Sequence, residues 1–168
     1  MLAPVALALP DVVHHTGPVD VVICDGAPYN RAMVHRAMRF WLDRCLYEEM
    51  GSVYNAECGP FPVDGQSFLA PANTIVITQH EPEYDTMAGA TMTMYSLAGP
   101  LSIIRFDHVA ARRMWPLFAS DRWKLLLHEL GHALAFDSET FHHSEPGTVM
   151  APGLDSIGLS TVGLDQCR

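Results

Sequence analysis

Apolar residues follow two rhythms along this chain: short β-branched runs and repeats four residues apart. The run VDVVICD at 19–25 is short, β-branched and followed by the turn-prone stretch Gly26, Ala27, Pro28, which predicts a core strand. Pro28 suits a first helical turn. The pairs Met33/Val34, Ala37/Met38, Trp41/Leu42 and Cys45/Leu46 then recur every four residues until Gly51, which predicts a long amphipathic helix with one buried face. Residues 52–73 carry Cys58, Gly59, Pro60, Pro62, Gly65 and Pro71, and read as a loop with at most a short strand. Three strand candidates follow: NTIVITQ at 73–79, ATMTMYS at 90–96 and LSIIRFD at 101–107. The middle one alternates Thr with Met, as a half-exposed edge strand does. Ser120 is placed to cap a second helix and Asp121 to favour its positive end, and DRWKLLLHELGHALAF then continues without proline. The closing stretch PGTVMAPGLDSIGLSTVGLDQCR is turn-rich, with a short final helix after Asp155.

The order strand, helix, several strands, helix fits an α/β or α+β class. A chain of 168 residues supports one domain with a sizeable core and is too short for two ordinary ones. Residues 1–18, with Pro4, Pro10, Gly17 and Pro18 and no sustained period, read as an N-terminal tail carrying His14 and His15 as solvated residues; the domain is 19–168. The segment MLAPVALALP lacks a basic flank and makes a poor signal peptide, so an extended arm is expected there. No apolar run is long enough to span a membrane.

Composition narrows the partners. A net charge of -9 with only 10 Lys plus Arg argues against nucleic acid, which is bound through a basic face. Cys24, Cys45, Cys58 and Cys167 contain no C-x-x-C pair, which disfavours a thiolate zinc site. Two disulfides would fit an oxidising compartment and four thiols the cytosol, and the sequence does not choose. His35, His80 and His108 have no metal-site spacing, and Glu81, Glu83 and Asp85 lie in no regular calcium loop.

The chemistry concentrates in HELGHALAFDSETFHHSEPGTVM, residues 128–150. Four residues advance a helix by about 400°, so His128 and His132 fall on one face, one turn apart, where they can hold one ion. Glu129 lies about 100° round from His128, close enough to act as general base on a water activated by that ion without binding it. The same helix carries Leu125, Leu126, Leu127, Leu130 and Leu134 and is therefore buried. Two imidazoles and a carboxylate in such a place are costly unless a metal satisfies them, which points to Zn²⁺.

HELGHAL followed by HSEPGTVMAPG resembles the metzincin clan of zinc peptidases, the matrixins in particular, in which a third histidine and a tight turn bearing a methionine follow the helix. The resemblance implies an α+β, zincin-like fold. Its parts would be a mixed twisted sheet of about four to five strands with an antiparallel edge strand, a long backing helix, an active-site helix with HExxH, and a Met-turn. The sequence departs from the pattern in one respect: glycine and histidine are expected at 135 and 138, where Ala135 and Ser138 stand. Reading back from the methionine instead aligns HHSEPGTVM with the family and makes His142 the third ligand after a four-residue insertion. His143 is the alternative, and Asp137 and Glu139 are further oxygen candidates.

By the same resemblance, Met150 forms an apolar floor under the metal, residues 151–158 wall a substrate pocket, and the strand carrying Thr91, Thr93 and Tyr95 pairs with an extended peptide or protein substrate. The triplet Cys58, Gly59, Pro60 is similar to the matrixin cysteine switch but follows the first long helix, so it reads as a disulfide or loop cysteine. The expectation is a zinc-dependent endopeptidase, secreted, extracellular or virion-associated rather than cytoplasmic. The other reading is a zincin-fold structural or binding component of a larger protein assembly, such as a virion or secretion apparatus.

Overall fold

Three β-branched runs build the centre of the sheet, as their composition requires. The computed structural model describes residues 15, 17–45, 49–58, 73–79, 89–96, 99–106, 119–134, 146–151 and 157–158. Their elements are β1 (Val19–Cys24), α1 (Arg31–Cys45), β2 (Met50–Ala56), β3 (Thr74–Gln79), β4 (Gly89–Ser96), β5 (Gly99–Phe106) and α2 (Ala119–Leu134). The class is α+β. The sheet runs β2-β1-β3-β5-β4, with every neighbour parallel except β4, which is antiparallel to β5 at the edge. The mixed sheet and its antiparallel edge strand agree with the expectation.

Alternation along the strands sorts the core into two layers. Val19, Val21, Ile23, Ile75, Ile77, Ile104 and Phe106 face both helices and form the main core with Val34, Met38, Trp41, Leu126 and Leu130. Val22, Cys24, Val76, Leu101 and Ile103 face the other way. Helix α1 lies over β2, while α2 lies over β4 and β5 and packs beside α1.

Helix α1 starts at Arg31 rather than at Pro28. Asn30 is the cap: its Oδ1 accepts the Met33 N–H at 2.9 Å and its carbonyl accepts that of Val34 at 3.1 Å. The buried face is the expected one, with Val34, Ala37, Met38 and Trp41 inside.

Three local findings differ from the sequence reading or extend it. Strand β2 occupies seven residues where little more than a loop was expected. It is a sheet edge on which only Val53 is buried, so no apolar alternation announces it. Gly51 is needed there, because a Cβ would come within 2.8 Å of the Val19 carbonyl oxygen. His15, read as solvated, is buried at 4% exposure. Cys24 and Cys58 form a disulfide that ties the end of β1 to the chain leaving β2. The Cys45 side chain, Cys167 and the final helix after Asp155 lie outside the described residues. No helix among the described residues is long and apolar enough to cross a membrane.

Candidate functional site

Helix α2 keeps Asp121 and Lys124 of its first turns partly exposed but buries the three polar residues of its second half. His128, Glu129 and His132 are 5%, 4% and 6% exposed. On a helical wheel Glu129 and Gly131 flank the two histidines at about 80° on opposite sides. The three groups therefore face different neighbours, and each neighbour has a separate task.

The histidines face each other. Their Nε2 atoms are 3.1 Å apart, with the rings edge-on at 85°. Two ligands about 2.0–2.1 Å from a tetrahedral zinc stand about 3.3–3.4 Å apart, so the pair fits that ion with little movement. The tautomer fits as well. His128 Nδ1 lies 2.9 Å from the Val149 carbonyl oxygen, which can only accept, so Nδ1 carries the proton and the neutral ring keeps its lone pair on Nε2. Two such nitrogens share either a proton or a cation. No group of three His, Cys, Asp or Glu side chains suited to a metal occurs among the described residues. His142, His143, Asp137 and Glu139, the four candidates for the third ligand, lie outside them.

On the Gly131 side stands the turn at 146–151. The Thr148 carbonyl accepts the N–H groups of Ala151 at 3.3 Å and Gly158 at 2.9 Å, which closes the turn tightly. Met150 is fully buried. A Cβ on Gly131 would collide with the Met150 sulfur and come within 2.6 Å of Trp41 Cζ2, so glycine is what lets both pack on the helix backbone. The Trp41 indole N–H donates to the Leu127 carbonyl at 2.9 Å and fixes that ring.

On the other side Glu129 meets β4. Thr91 Oγ1 lies 2.7 Å from Glu129 Oε2 and 3.1 Å from the main-chain oxygen of the same residue, so one hydroxyl proton serves both acceptors. An added Cβ on Gly89 would stand 2.8 Å from Oε1, so the strand backbone comes up against the carboxyl group. Burial raises the Glu129 pKa to about 7, and the Thr91 hydrogen bond offsets part of that rise. Tyr29 closes this side: its hydroxyl donates to the Arg122 carbonyl at 3.0 Å and its ring packs edge-on against Phe106. Burial, and then the Glu129 charge, push that hydroxyl above its ordinary range, with Arg122 opposing.

A second polar cluster lies where β4 and β5 meet the last turn of α2. Ser102 Oγ donates to the Ala133 carbonyl at 3.3 Å and stands 2.8 Å from both Thr93 Oγ1 and His15 Nε2. With two donors accepted and one proton given, that hydroxyl is saturated. Burial lowers the His15 pKa to about 4 against a smaller opposing effect of a hydrogen bond with Asn73. Thr91 and Thr93, expected to serve an extended substrate, turn their side chains toward α2, and only the main chain of Tyr95 is described. The pattern of the sequence points to no role for Gly89, Ser102, Val149 or Tyr29. One signal is present: period-2 alternation puts 89, 91 and 93 on the helix-facing side, where threonines require polar partners.

Compared with known proteins, the chain matches no family model, no curated protein and no solved structure.

Proposed function

We propose that this chain is a zinc-dependent endopeptidase with a zincin-like fold, similar to the matrixins, acting on peptide or protein substrates. The observation that carries the reading is the His128/His132 pair, with Nε2 atoms 3.1 Å apart and the His128 lone pair directed by Val149. His128, His132 and His142 would hold Zn²⁺, with His143 the alternative to His142, and Met150 would lie beneath them. A zinc ion held there would supply a Lewis acid that polarises the scissile carbonyl and lowers the pKa of water to about 7.

Glu129 does the proton work. Its carboxylate accepts a proton as the water oxygen bonds to the carbonyl carbon, then returns it to the amine as the C–N bond breaks. Burial raises its basicity, the direction a general base needs. The outer edge of β4, paired on its inner side with β5, offers main-chain groups to an extended peptide. The Cys24–Cys58 disulfide supports an oxidising, extracellular setting.

The second reading, a zincin-fold structural or binding component of a larger assembly, draws on the 4% exposure of Glu129. Cleavage of an unfolded protein substrate separates the two. The peptidase reading expects cleavage by the wild type, loss on chelation, and a fall of at least about 100-fold in Glu129→Gln. Equal turnover by wild type and Glu129→Gln would contradict it.

A further inference from the structure

Strand β4 lies against the Glu129 carboxyl group through two residues, Gly89 and Thr91, two apart on one face. Gly89 allows the strand backbone to approach Oε1, while Thr91 bonds Oε2 at 2.7 Å. The same Thr91 hydroxyl reaches the Glu129 main-chain oxygen at 3.1 Å. A single group that binds both ends of one residue restricts all three side-chain torsions between them. Without it a glutamate would sample several rotamers, and only some would direct a lone pair at a water beside the histidines.

The strand that provides these contacts is also the edge of the sheet. Its inner side pairs with β5 from Gly89 to Ser96, and Thr91 stands opposite Ile104. A peptide pairing with its outer side would fix the strand backbone, and with it Gly89 and Thr91.

We infer that Thr91 is a positioning residue for the general base, and that Gly89 and Thr91 together transmit the docking of a peptide on β4 to the orientation of the Glu129 carboxyl group. This rests on the peptidase reading. Thr91 then acts through Glu129, so its loss lowers turnover and leaves substrate affinity nearly unchanged. A residue that only packed the strand would lower stability and disturb both parameters together.

The test is steady-state cleavage of an unfolded protein substrate by wild type, Thr91→Val, Thr91→Ser and Gly89→Ala, with zinc content measured on each. Thr91→Val is expected to lower kcat by about 10- to 100-fold, the size expected for a misplaced catalytic group, with KM within about twofold. Thr91→Ser retains the hydroxyl and is expected to restore kcat to within about threefold of wild type. Gly89→Ala, which moves the carboxyl group by contact, is expected to lower kcat with zinc retained. Wild-type kcat in Thr91→Val or in Gly89→Ala would overturn the inference, as would equal losses in Thr91→Val and Thr91→Ser. An inactive wild type would overturn the peptidase reading itself, which distinguishes the two failures.

Discussion

His128 Nδ1 lies 2.9 Å from the carbonyl oxygen of Val149, the residue before Met150. Helix α2 and the turn at 146–151 therefore decide jointly which nitrogen of that imidazole keeps its lone pair. Met150 packs on Gly131 from the same turn, so one short segment sets both the tautomer of a histidine and the apolar surface beside it. A metal site built this way depends on packing as much as on its ligands.

Gly131→Ala measures that packing. Alanine is about 1 kcal/mol better than glycine in a helix interior, which favours the variant. Overpacking a filled core costs about 1–3 kcal/mol, which opposes it. The Met150 side chain can yield, but the Trp41 ring is held by its bond to Leu127. The overpacking term should win, with stability lowered by up to about 2 kcal/mol in chemical denaturation once the helix-propensity gain is subtracted. A stabilised variant would show that Trp41 and Met150 are not seated on the helix.

Two of the buried ionisable groups, His15 and Glu129, give opposite pH dependences in the metal-free protein. His15 falls from an ordinary 6.5 to about 4, so between those values the unfolded chain holds a proton that the folded one lacks, and stability rises with pH. Glu129 rises from 4.5 to about 7, so across that range the folded chain holds the extra proton and stability falls as pH rises. The windows overlap, and in the wild type the two slopes largely cancel. His15→Gln should become less stable as pH rises through the Glu129 window, and Glu129→Gln less stable as pH falls through that of His15. Each change amounts to roughly 3 kcal/mol. Denaturation of both variants in chelator across this range checks it, and slopes of the same sign would contradict the assigned burial.

Much of the fold is legible in the sequence because its determinants are local. β1, β3 and β5 are β-branched runs buried on both faces, and α1 repeats its apolar pairs every four residues. The HExxH spacing likewise puts His128 and His132 on one face of any helix that carries it. What escapes is non-local or lacks a pattern. β2 buries one side chain, Val53, and is recruited by its neighbour β1. His15 sits in a segment with Pro and Gly on either side, yet its partner Ser102 is 87 residues away. Thr91 reads as an edge residue because its bond to Glu129 spans 38 positions. Pro28 signals the beginning of α1 three residues early, because the cap that sets it is the Asn30 side chain.

Zinc stoichiometry tests the central claim most directly. It would be measured on purified wild type and on His128→Ala, His142→Ala, His143→Ala and Glu129→Ala, with cleavage followed in parallel. The account predicts about one zinc per chain in the wild type, as a single two-histidine helix site completed by one further ligand requires. It predicts loss of that zinc in His128→Ala and His142→Ala, and its retention without cleavage in Glu129→Ala. Loss in His143→Ala instead of His142→Ala would move the third ligand by one residue. Zinc retained in His128→Ala, or none bound by the wild type, would contradict the account.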